Sequence, residues 1–376
     1  MEKEIEENLD HQSEPIRRTH KSDVLFLIIS CILAGLLIKI PQLFGFDADE
    51  HDYYTKNAGI ILFVGLSAYI FLTKNKINPR QLILSLLVFV LSALYINLLP
   101  TGEESDSVLL SYIHLPLMLW CLYGLIFTDY ATKNRLKWIN YLRYNGDLAI
   151  LTAVILIAGG ILTAVTIGLF STIDLNIENF YMKNIAIIGL ISAPIVATYI
   201  VRNFPAMTDK IAPVIAGIFS PLVLITLVIY LIFVILTGKD PYSDRDFLIM
   251  FNTMLAGVMA IIVFSVIGTS AKKRNRFNEW TLFMLSFLAL IVDLVALSAI
   301  LYRVGEFGFT PNRTAVLGSN LLIFVHLVLI MIHLFKVVRN EKEIKTVELT
   351  VARYLPIYAI WTLLVTFLFP LLFGGK

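Results

Sequence analysis

Apolar positions in this chain run together in blocks of about 17 to 25 residues, long enough at 1.5 Å per residue to span a hydrocarbon core of about 30 Å. Eleven such runs are predicted: Val24–Phe44, Asn57–Thr73, Gln81–Leu99, Val108–Thr128, Leu148–Ser171, Ile185–Val201, Ile211–Leu236, Phe247–Thr269, Trp280–Tyr302, Thr314–Phe335 and Tyr354–Phe373. At this length only a helix satisfies its own backbone in lipid. The pattern therefore predicts an all-α polytopic integral membrane protein, with a polar cytoplasmic tail over 1–23 and a single helical domain over 24–376. No small-residue cleavage site follows the first run, which is expected to be retained as a span.

Polar residues orient the chain. If the tail is cytoplasmic, the inner segments hold 22 of the 30 lysines and arginines and the outer segments hold 7, with Lys39 inside a span. That bias predicts an inner N-terminus and an outer C-terminus. Two inner connections are longer. Lys133 to Tyr144 interleaves basic and aromatic residues, as expected of a helix lying on anionic head groups. Lys336 to Arg353 reads as a continuation of the tenth span. Pro116, Pro194, Pro213 and Pro221 fall inside runs, and the stretch from Ala212 to Pro221 is expected to break its helix, as transporters do to line a cavity.

Composition sharpens this reading. The chain is 58% hydrophobic and 15% charged, where an ordinary soluble domain carries about 25% charged residues. The net charge of +2 gives no reason to expect a nucleic-acid partner. Cys31 and Cys121 both lie within apolar runs, so neither a disulfide framework nor a cysteine metal site is implied.

The densest chemistry is Leu301–Arg313. Thr310-Pro311 reads as an N-cap followed by proline at the first helical position. That places Arg313 in a first turn, where the helix dipole disfavours a cation by roughly 0.3 to 1 kcal/mol. Glu306 and Arg303, three residues apart, are within pairing reach on a helix. The stretch is therefore either a structural clasp of Arg303, Glu306 and Arg313 or an outward-facing site for an anionic small molecule or lipid head group.

Arg303 followed by Phe307-Gly308-Phe309-Thr310-Pro311-Asn312-Arg313 resembles the signature of a large family of bacterial polytopic membrane proteins known only as a domain of unknown function. In that family an arginine precedes an aromatic-Gly-x-Thr-Pro-x-Arg run, and the match covers about a dozen residues at Arg303, Gly308, Thr310, Pro311 and Arg313. The resemblance implies a bacterial inner membrane and carries no mechanism.

Other candidates lie within the membrane. Asp293 falls fourteen residues into the ninth run, where an ionised carboxylate is costly, so it is protonated, paired or facing water. His326 on the tenth run reads first as an interhelical hydrogen-bonding histidine, with pairing to Asp293 as the alternative, and His114 lies on the fourth. His326 and His333 are seven residues apart, too far along one helix to share a metal. The outer loop from Phe46 to Tyr54 gathers four carboxylates and a histidine without an EF-hand spacing. The sequence holds no nucleotide-binding or hydrolase motif. No metal and no cofactor is expected, and membrane lipids are the expected partners. Three functions remain open: a transporter or flippase-like protein, which is placed first, a membrane enzyme acting on a lipid-linked or glycan substrate, and an envelope scaffold.

Overall fold

The computed structural model describes residues 20–45, 52–100, 105–171, 175–204, 211–237, 242, 245–270 and 275–374. Among these there is no strand, and each predicted run is mainly helical, although the first is interrupted at Lys39, between His20–Ile38 and Ile40–Phe44, and the last at Leu368, between Lys345–Phe367 and Phe369–Leu372. The helices are α1 (His20–Ile38), α2 (Tyr53–Leu72), α3 (Pro79–Leu98), α4 (Asp106–Phe127), α5 (Arg135–Ser171), α6 (Glu178–Asn203), α7 (Ile211–Thr237), α8 (Arg245–Ser270), α9 (Arg276–Phe307), α10 (Pro311–Val338) and α11 (Lys345–Phe367). Among the described residues nine are long and apolar enough to cross a membrane, and α1 and α7 carry shorter apolar stretches, Ser22–Ile38 and Ser220–Leu236. The architecture is all-helical and compatible with a polytopic membrane protein.

Local chemistry starts several helices where an oxygen-bearing side chain can accept from a first-turn N–H. Asn78 accepts from Arg80 N, Ser105 from Val108 N, Asn275 from Phe277 N and Thr310 from Arg313 N. Pro79 and Pro311 follow their caps, where a missing N–H costs nothing. The outer faces then carry leucine, isoleucine and valine where a soluble protein would carry charge: Ile83, Leu87, Leu91 and Leu94 of α3 are all exposed.

Two buried clusters form the interior. The first joins α1 to α4 with α6, and the second joins α8 to α11 with Leu227 of α7. The N-terminal part of α5 is wedged between them. Successive residues on a helix point about 100° apart, so Tyr141 and Tyr144 belong to the first cluster while Leu142 belongs to the second. Small residues permit the closest helix approaches, as is usual in membrane bundles. A Cβ on Gly59 would lie 2.7 Å from Pro116 Cγ, and one on Gly318 of α10 would lie 2.0 Å from the Trp361 ring of α11.

Several expectations need correction. Lys133 to Tyr144 is not a separate interfacial helix: α5 starts at Arg135 and continues to Ser171. Its aromatics are consumed by packing, with Tyr141 fully buried and its hydroxyl donating to Trp120 O at 2.7 Å. Lys336 to Arg353 does not extend the tenth run as one helix, because α10 stops at Val338 and α11 begins at Lys345. The prolines do not break their helices. Pro194 and Pro221 sit inside continuous α-helix, and Pro213 occupies the third position of α7. The one departure from α geometry among the described helices is a π turn, Met182–Ala186, inside α6.

Candidate functional site

The connection between α9 and α10 turns on Gly308, which ends α9 at φ 72°, a left-handed conformation that glycine adopts without strain. Thr310 then caps α10, and its own carbonyl accepts from Thr314 Oγ1 at 2.8 Å. Arg313 folds back over this turn. Its Nη1 donates to Phe307 O at 2.8 Å and to Gly308 O at 2.9 Å, and its guanidinium lies 5.4 Å from the Phe307 ring centre. The negative group expected to compensate Arg313 is therefore the carbonyl end of α9, where a cation is favoured.

Arg303, Glu306 and Arg313 do not form an ion-pair triad. Arg303 and Glu306 share the last turns of α9, yet no ion pair joins them or Arg313 to Glu306 within 4 Å among the described residues. Glu306 is exposed, whereas Arg303 buries its Nη1 with no hydrogen-bond partner. Of the two arginines, Arg313 is consumed by the turn and Arg303 keeps capacity for an anion.

Deeper in the bundle, Asp293 is 0% exposed and neither carboxyl oxygen has a hydrogen-bond partner. Ser286, two turns earlier on the same face of α9, is equally buried and unpartnered. His326 of α10 is 1% exposed, and no hydrogen bond or ion pair joins it to Asp293. Its Nδ1 instead lies 3.1 Å from Tyr358 Oη of α11, and its ring stacks on Tyr354 at 4.2 Å between centroids. Tyr358 in turn lies within electrostatic reach of Asp293. The tyrosine hydroxyl thus faces the α10 imidazole, whose Nε2 is buried without a partner.

No family model matches the chain, and no curated protein or solved structure matches it either.

The sequence singled out Asp293 and His326 but passed over Tyr358 and Ser286. The available signal was Tyr354 and Tyr358, one turn apart in an apolar run, a spacing that gives two polar-tipped rings a shared face. His114 takes no part: its Nδ1 meets Leu110 O of its own helix at 2.9 Å, which makes it a local element of α4. His333 pairs with Leu329 O and Thr350 Oγ1. Among the described residues no group of three or more potential metal ligands occurs. The acidic loop over Phe46–His51 lies outside the described residues, and Asp52 precedes α2 at φ 50°.

Polar contacts do tie alternate connections together at common ends of the bundle. Lys74, after α2, pairs with Asp129, after α4, at 2.6 Å. Lys56, at the start of α2, donates to Leu99 O at the end of α3 at 3.1 Å, and Lys39 reaches Asn184 Oδ1 at 2.9 Å and Lys183 O. Lys39 is therefore a tether between α1 and α6.

Proposed function

We propose that this protein is a transporter of the bacterial cell membrane with eleven spans, an inner N-terminus and an outer C-terminus, in which Asp293 takes up and releases a proton during the transport cycle. The observation that carries this reading is the pair of unpartnered oxygens on a fully buried carboxyl within a span. An ionised carboxylate left unpaired in hydrocarbon costs several kcal/mol, so the resting group is the neutral acid and gains a charge only when water or a cation reaches it. Tyr358 and His326 provide hydroxyl and imidazole groups through which that proton passes between helices. Arg303, ten residues further along α9, supplies the cation for an anionic solute or head group at the outer end.

The bias of lysines and arginines toward alternate connections supports the orientation, as does the meeting of Lys74 with Asp129 across two connections on the same side. Arg313, which the turn consumes, favours a clasp at that position rather than a second anion ligand.

The test uses proteoliposomes that enclose a pH-sensitive dye, with an inward proton gradient and a panel of small carboxylates and phosphates added outside. Wild type acidifies the lumen with at least one member of the panel, Asp293→Asn does not, and Asp293→Glu keeps part of the rate. Equal acidification by wild type and Asp293→Asn would sink the proposal.

A further inference from the structure

At the end of the bundle that carries Lys74, Lys76 and Arg202, the helix ends leave a cavity of about 470 Å³. Its wall is built from Asp23 at the start of α1, Tyr69 and Thr73 at the end of α2, Asp129 after α4, and Arg202 with Asn203 at the end of α6. The volume is that of a small-molecule site. Its lining is polar, unlike the rest of the bundle surface, and it belongs to the first helix cluster, away from Asp293.

Most of the wall is fixed by its own hydrogen bonds. Thr73 Oγ1 donates to Tyr69 O at 2.9 Å and accepts from Arg202 Nη1 at 3.2 Å. Asn203 donates to the Tyr69 hydroxyl at 3.2 Å. Lys74 is held by Asp129 and by Ile126 O at 3.0 Å. Asp129 is neutralised by this pair: burial raises its carboxyl, but Lys74 and Lys137 outweigh that and hold it below its ordinary value.

Asp23 and Arg202 also line the cavity. Asp23 is 8% exposed, and its Oδ1 is buried without a hydrogen-bond partner. Arg202 stands over Tyr69 with its guanidinium 6.0 Å from the ring centre. Asp23, Tyr69 and Arg202 all line the same cavity. Even so, no ion pair joins Asp23 to Arg202 within 4 Å among the described residues. A carboxylate and a guanidinium that line one cavity without touching present it with both an acceptor and donors. A buried acceptor left empty costs about 1 to 3 kcal/mol, more when it is charged, so a ligand that meets both groups gains from each.

We propose that this cavity binds a small zwitterion, with its ammonium group on Asp23 and its phosphate or carboxylate on Arg202 and Lys76. The chemistry is shared by a free phosphoethanolamine-like or amino-acid solute and by an ethanolamine phospholipid head entering from the adjacent leaflet. Three cations and two carboxylates line the cavity, so a ligand that carries an ammonium beside its anionic group suits it better than a bare anion, which would meet Asp23 unfavourably.

The experiment measures binding to the full-length protein in detergent by isothermal titration, with O-phosphoethanolamine and inorganic phosphate as probes. In parallel, native mass spectrometry is run after exchange into micelles containing phosphatidylethanolamine or phosphatidylglycerol. A soluble-ligand site binds phosphoethanolamine at least tenfold more tightly than phosphate. A lipid-head site retains phosphatidylethanolamine over phosphatidylglycerol. In either arm Asp23→Asn removes the preference for the ammonium-bearing probe while keeping the residual affinity for phosphate, and Arg202→Gln lowers affinity for every anionic probe. Size-exclusion profiles and helical circular dichroism establish that both variants are folded. For a variant that fails to fold, the probe preference of the wild type decides. The proposal is overturned if neither arm shows a preference for the ammonium-bearing probe, or if folded Asp23→Asn keeps that preference unchanged.

Discussion

The tightest contact between α10 and α11 predicts the cost of one added methyl group. Replacing Gly318 by alanine would place a Cβ 2.0 Å from Trp361 Cη2, 2.3 Å from Cζ2 and 2.8 Å from Cζ3. Carbon atoms pack at about 3.5 to 4.0 Å, so the indole must retreat by about 1.5 Å or the two helices must separate. The indole is not at liberty to swing away. Its Nε1 donates to Ser319 Oγ at 2.9 Å, and its edge meets Phe369 at 6.0 Å. Overpacking of a tight interface costs about 1 to 3 kcal/mol, and losing the Ser319 bond adds about 1 kcal/mol. Gly318→Ala should therefore lower stability by roughly 2 to 4 kcal/mol. The assay is unfolding by sodium dodecyl sulfate in mixed micelles, followed by circular dichroism. A Trp361→Leu background removes the clashing ring, so the same Gly318→Ala step should there cost less than about 1 kcal/mol, a coupling that a double-mutant cycle reads directly. The reasoning is refuted if the step costs less than about 0.5 kcal/mol in the wild-type background, or the same amount in both. Gly318 lies eight residues, about 12 Å, before His326 along α10. A splayed interface should therefore also lengthen the contact from His326 to Tyr358.

Other variants test the turn between α9 and α10 and the charged end of α4. Arg313→Lys keeps the charge but shortens the side chain and loses the Nη1 that donates to both Phe307 O and Gly308 O, and should cost about 1 to 2 kcal/mol in the same unfolding assay. Thr310→Ala removes the acceptor for Arg313 N and should cost about 1 kcal/mol, with no change in anion binding by titration. Asp129 is held below its ordinary carboxylate value by Lys74 and Lys137, so the stability it contributes is present above that ordinary value and is lost as pH falls through the lower folded one. Asp129→Asn should flatten the acid limb of the melting temperature between about pH 5 and pH 3, and only slightly, because the carboxylate is half exposed and screened by solvent.

The run of apolar residues was sufficient to find the long helices, because length and hydrophobicity act locally, through the cost of exposing a backbone to lipid. The cap at Thr310 and the proline after it were legible for the same reason: both concern N–H groups within one turn. The sequence also placed Asp293 and His326 inside the bundle, since an ionisable residue amid hydrocarbon stands out against any neighbour. What it left undecided was lateral. Arg313 was expected to need a carboxylate and found the carbonyl end of α9, because a glycine turn brings that end back within reach. Tyr141 carried an aromatic and basic context suited to a lipid surface, yet it is buried because α5 is wedged between two helix clusters. The sequence left open whether His326 met Asp293 or another helix, and the packing of α11 put Tyr358 beside it. Asp23 and Arg202, far apart in the chain, line one cavity only because the start of α1 and the ends of α2 and α6 lie together. Helix formation is decided by a residue and its neighbours within a turn or so, whereas the meeting of side chains from different helices depends on rotation and offset between elements. Those are set by the whole set of packing contacts, including glycines such as Gly318 that leave no mark on the hydropathy pattern.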